Sequence, residues 1–164
     1  MKGNSKHILP LYDTIQGGLV IFDIEKVQKD DELSYNYRHV NVNKKAGYDA
    51  VVSAIIHSEY SLDAEVALCK DKSHKLNKKS DKEHSDYLAL CEKAKIVAHA
   101  VCGDYTEDVL KTKSVPDLDE IAAALDVELV DPSYSTALKP AKRNKIMSRI
   151  TVHSQVQIGN KVGL

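Results

Sequence analysis

Apolar and polar positions alternate along the first forty residues and then switch to a longer period. His7-Ile8-Leu9-Pro10-Leu11-Tyr12 is a short extended stretch whose proline suits an edge strand. Gly17-Gly18 interrupts it, and Leu19 to Val27 follows as a β-branched strand. Gln28 to Glu32, with Asp30-Asp31, forms a polar turn. Leu33 to Val42 alternates again and pairs back as a hairpin. The apolar phase moves from Tyr35 and Tyr37 to Val40 and Val42. Either a bulge near Arg38-His39 or burial of both faces accounts for that shift.

The middle of the chain has helical spacing. Asp49 to His57 is apolar over a broad face, and Ser61 is placed to cap a second helix over Leu62 to Leu68, with Asp63 and Glu65 in its first turn. The stretch "KDKSHKLNKKSDKEHSD" is a solvated connection of mixed charge. Tyr87, Leu90, Cys91, Ala94, Val97, Ala98 and Val101 stripe a third helix from about Ser85 to Val101, which Gly103 stops. Pro116 opens a fourth over Asp117 to Leu125, and Val127 to Val130 reads as a short strand.

From Pro132 onward there is no Asp or Glu, and the cations are Lys139, Lys142, Arg143, Lys145, Arg149 and Lys161. With those six set aside, the formal charge of −1 becomes −7. The chain is thus polarised into an acidic body and a basic end. Pro140 to Lys142 starts a short basic helix. Ile150 to Ile158 alternates as a strand, with Ile150, Val152, Val156 and Ile158 apolar. That strand either adds to a sheet edge on another copy or closes the N-terminal sheet of its own domain.

At 164 residues, with 43% hydrophobic and 29% charged residues, the chain is of ordinary globular composition. No apolar run approaches the roughly 20 residues that span a bilayer. The polar start carries no signal-peptide pattern, which predicts a cytoplasmic site of synthesis. Three cysteines are too few for a disulfide framework and read as free, buried thiols.

Candidate chemistry is sparse. Cys91 and Cys102 share a helix face but lie roughly 16 Å apart along its axis, too far to share a metal. His99 and Cys102, three apart, would need Cys69 or His57 to complete a site, and no paired-ligand spacing is present. His57-Ser58-Glu59 matches only the H-x-E half of the zinc deaminase signature. P-loop, dinucleotide and H-E-x-x-H patterns are absent. Tyr35 and Tyr37 beside Arg38 and His39 could stack nucleic-acid bases, although such a strand more often is half buried.

Residues 34–68, "SYNYRHVNVNKKAGYDAVVSAIIHSEYSLDAEVAL", resemble small proteins of tailed phages of Bacteroides-type gut bacteria, including crAss-like phages. An aromatic strand, a Gly-Tyr start to an apolar helix and a "YSLD" break carry the resemblance. It implies a virion component, and it transfers no functional residue. The expectation is an α+β protein: a small N-terminal sheet or hairpin and three to four packed helices over 1–131, then an extended basic arm over 132–164. The expected role is structural, with no enzyme activity and no metal or other cofactor. The protein would associate with itself or with other virion proteins through the arm, in the host cytoplasm during assembly and then in the virion. The arm's contact residues would be Lys139, Lys142, Arg143, Lys145, Arg149, Ile150, Val152, Val156 and Ile158. The alternative is a nucleic-acid-associated accessory protein whose arm contacts phosphates. No membrane contact is expected.

Overall fold

A computed structural model describes residues 1–13, 18–70 and 78–159, with side chains outside the description at 78–80 and 152–159. The chain is α+β. Four antiparallel strands, β1 (Lys2–Ser5), β2 (Tyr12–Asp13), β3 (Leu19–Lys29) and β4 (Glu32–Asn41), lie in the order β1-β4-β3-β2. Helices follow as α1 (Tyr48–His57), α2 (Leu62–Lys70), α3 (Lys78–Cys102), α4 (Glu107–Thr112), α5 (Val115–Ala124), α6 (Val127–Val130) and α7 (Lys139–Gly159).

The β3–β4 hairpin turns at Asp30 and Asp31, both with positive φ (48° and 66°). Two such residues make the primed two-residue turn that matches strand twist, and Asp tolerates it better than most residues do. The bulge lies on β3, not β4. Phe22 pairs with Arg38 and Glu25 with Asn36, so Asp23 and Ile24 together oppose Tyr37. Asp23 takes up the irregularity at φ 52°. One extra residue flips the side-chain alternation. Ile24 therefore joins Leu19 and Ile21 on one face, against Ile8, Leu9, Tyr35, Tyr37 and Leu129. Val20, Phe22 and Val40 face the helical core. The phase change along β4 is thus burial of both faces.

The edge strand is Lys2–Ser5; of the stretch expected at His7 to Tyr12, only Tyr12 is strand. α1 and α2 form where expected, with Ser61 Oγ accepting from Ala64 N at 3.2 Å. α3 ends at Gly103, whose φ is +82°. Ser114 and Asp117 close a reciprocal capping box at the start of α5. α3 starts at Lys78, inside the stretch expected as a connection, and α4 was not expected, so the described residues form seven helices rather than three to four. Two further elements differ from expectation. Val127–Val130 is one helical turn rather than a strand, entered through Asp126 at φ 55°. The C-terminal segment is neither an extended arm nor, over 150–158, a strand: it is α7. Its inward stripe includes Lys142, Ile146, Arg149 and Ile150, all buried. Among the described residues no helix is long and apolar enough to cross a membrane.

Candidate functional site

The bulge in β3 gathers charges from the sheet and from the helices packed on it. Asp23 bonds Lys93 through one carboxylate oxygen, and through the other it accepts from Arg38 at 2.8 Å. Arg38 continues to Ser58 Oγ at 3.1 Å and Glu59 at 2.7 Å, and its guanidinium lies over the Phe22 ring. From the turn between α5 and α6, Asp126 accepts from Ile24 N at 3.2 Å and stands 3.8 Å from Lys93. Its carboxyl is pushed above the usual range by burial, against the pull of Lys93. A cleft of about 780 Å³ opens beside this cluster, lined by Lys2, Asn4, Glu25, Tyr37, Arg38 and Asp126 among others. Gly3 belongs here because the Tyr37 ring crosses it: a Cβ would stand 2.5 Å from the ring.

Chemically the cluster is a set of satisfied ion pairs. Each oxygen of Asp23 already has a cation, and the Ser58 hydroxyl beside Arg38 is spent, donating to Ile55 O at 2.7 Å while it accepts from Arg38. It ties the sheet to α1 and α3 and to the turn before α6.

The basic end is engaged inside its own domain. Lys142 pairs with Asp119 and sits 4.8 Å from the Tyr134 ring centre. Lys145 pairs with Asp131 at 2.6 Å and bonds Ser133. Arg149, 2% exposed, donates Nε to Leu125 O at 3.0 Å and Nη1 to Leu9 O at 2.9 Å. Ile150 lies in the main core. Lys139 is half-buried and acts on Asp117 through its charge, and Arg143 is half-buried with its Nε unpartnered. The side chains of Val152, Val156 and Ile158, and all of Lys161, fall outside the described residues. The acidic body inferred from sequence is therefore answered by its own C-terminal helix, at Asp119, Asp131 and Asp126.

The histidines and cysteines are dispersed. His99 Nδ1 bonds Asp104 at 2.8 Å, and its ring meets those of Tyr48 and Tyr105. Burial pushes the Tyr105 hydroxyl up to about 12. His57 bridges Ser53 and Glu65, each at 3.2 Å, and Tyr87 donates to Glu65 at 2.6 Å, so this chain braces α1, α2 and α3. Cys69 and Cys102 are exposed and Cys91 is half-buried, where three buried thiols were expected. Among the described residues no three His, Cys, Asp or Glu side chains gather as a metal would require.

Sequence reasoning missed the Asp23–Asp126 pairing of elements, since nothing local marks two carboxylates 103 positions apart as neighbours. Compared with protein families, curated proteins and solved structures, the chain has no match.

The hairpin supplies the second feature. β2 covers β3 only at Leu19 and Val20, so among the described residues Glu25 to Lys29 has no strand on its outer side. In a hairpin with a two-residue turn, the flanking pair Lys29–Glu32 bonds inward, so the amides of Gln28 and Lys26 point outward. Both are exposed.

Proposed function

We propose that the protein is a structural subunit that assembles with copies of itself, and with other virion proteins, as its resemblance to small phage proteins implies. The observation that carries this reading is the uncovered outer edge of β3. An antiparallel two-fold pairing centred on Val27 sets Lys26 against Gln28 of a second copy, and both of those residues have outward amides. The same register sets Glu25 against Lys29, so each copy offers one acid and one cation to the other. Charged edge residues otherwise discourage indiscriminate pairing, and here they select a complementary register.

Contact with nucleic acid through the basic end draws less support, because Lys142, Lys145 and Arg149 are already engaged within the domain. Hydrogen exchange at increasing protein concentration tests the assembly reading. The Lys26 and Gln28 amides should become protected as concentration rises. Unprotected amides at every concentration would count against it.

A further inference from the structure

Beyond Phe22 the helical face of the sheet changes from apolar to polar. The register places Phe22, Arg38 and Lys2 in one cross-strand row and Glu25, Asn36 and Asn4 in the next. Residues directly opposite one another in such rows share a face of the sheet. Phe22 is buried in the helical core, whereas Lys2, Asn4, Glu25 and Asn36 are exposed. These two rows line the cleft of about 780 Å³, and Asp126 is its most buried carboxylate.

Polar groups on this face have bonding capacity to spare. Asn4 Nδ2 donates to Asn36 Oδ1 at 2.8 Å, which leaves Asn36 Nδ2 and Asn4 Oδ1 free. Among the described residues, nothing pairs with Lys2 Nζ or with the Glu25 carboxylate. Asp126 accepts from Ile24 N through Oδ2, while Oδ1 lies 3.8 Å from Lys93, beyond hydrogen-bond length. That side chain is 11% exposed and lines the cleft, so a donor placed there can reach it. The charges balance: Lys2, Arg38 and Lys93 offset Asp23, Glu25 and Asp126. Neither an anion nor a cation would find a net charge to answer.

We propose that this cleft binds a neutral saccharide, with the Asn4–Asn36 amide pair as anchor, Lys2 as a further donor and Asp126 Oδ1 accepting from a ring hydroxyl. A hydroxyl donates and accepts at once, so it suits a face on which free donors and free acceptors lie together. Several hydroxyls on one rigid ring bond together at little ordering cost. The cleft volume is within the range of small-molecule sites. The anchors sit on β1 and β4, away from the free edge of β3, so this assignment does not rest on the assembly reading.

The test is titration of the full-length protein with glucose, galactose, mannose, N-acetylglucosamine and xylose, followed through the side-chain amide resonances of Asn4 and Asn36. Phosphate and spermidine are the charged comparators. At least one sugar should shift both amides saturably, at concentrations where neither comparator does. Asn36→Val and Asn4→Val each remove one amide at an exposed strand position that favours a β-branched residue, so thermal melting should show both folded. Each should weaken sugar binding about tenfold by calorimetry, as the loss of one hydrogen bond implies. Absence of a saturable shift with all five sugars, saturable binding of phosphate or spermidine in their place, or folded variants that bind sugar as tightly as the wild type would overturn the assignment.

Discussion

Asp126 accepts a hydrogen bond from the backbone N–H of Ile24 across 102 positions of sequence, at 3.2 Å. The contact joins two irregularities: the bulge that follows Phe22 and the left-handed turn between α5 and α6. The bulge turns the Ile24 N–H out of the β3–β4 ladder, and the Asp126 carboxylate accepts from it. Asp126→Ala removes the acceptor and places a side chain without local hydrogen bonds at φ 55°, so it should cost about 1–3 kcal/mol. Asp126→Asn keeps an acceptor and tolerates the conformation, so it should cost distinctly less. Denaturant melts compare the two, and equal losses would refute the contact's role.

Arg149 ties α7 to both ends of the domain through the carbonyls of Leu125 and Leu9. Arg149→Met leaves both carbonyls unpaired and removes a charge that faces Asp126. The loss should be about 3–5 kcal/mol, the range for breaking a buried charged contact. Arg143→Met, one turn and a half earlier and bonded to nothing through Nε, should stay within about 0.5 kcal/mol. Chemical denaturation of the two variants measures the contrast.

A chain ending at Asp131 should not fold cooperatively. It lacks Tyr134, Ile146, Arg149 and Ile150, all buried against the rest of the domain. An extended arm would have been dispensable, whereas α7 is part of the core. A sharp thermal transition in the shortened chain, followed by near-ultraviolet circular dichroism, would contradict this.

The acid limb of stability follows from carboxylates with cationic or hydroxyl partners. Asp119 and Asp131 are held below the usual range by bonds from Lys142 and Lys145, and Glu65 by the Tyr87 hydroxyl. Each contributes stability that is present above its ordinary value, near 4, and is lost as pH falls through its depressed folded value. Asp126 has the opposite sign: burial raises it, so its ionised form costs stability and protonation relieves that cost. Asp117 is lowered too, by its bonds with Ser114, and four depressed groups against one raised group predict a thermal midpoint that drops on acidification below about pH 4. Asp119→Asn should flatten that drop, as scanning calorimetry across pH would show.

The local signals in the sequence were legible where they were self-contained. Ser61, Gly103 and Pro116 mark helix ends through their own chemistry, and the Asp30-Asp31 turn fixes the hairpin. α4 carried the same kind of signal, Thr106 followed by Glu107 and Asp108, with Thr106 Oγ1 accepting from Val109 N. At six residues it shows too little periodicity to stand out. α7 was hidden for a different reason. Two positions of its buried stripe are Lys142 and Arg149, so a pattern read from apolar residues saw only the alternation beyond Ile150. Cations that pair within the domain looked, in sequence, like cations meant for a partner. The charge cluster at the β3 bulge was illegible because its members come from five separate places in the chain: β3, β4, the turn after α1, α3 and the turn before α6.

The most direct test of assembly through the β3 edge is light scattering coupled to size exclusion, over a range of concentrations, on the wild type and on Gln28→Pro. Proline there removes an outward amide and leaves the β3–β4 ladder intact, as edge positions allow. The wild type should gain mass with concentration toward a dimer, while Gln28→Pro stays folded and monomeric. A wild type that remains monomeric throughout, or a proline variant that associates equally well, would contradict the account.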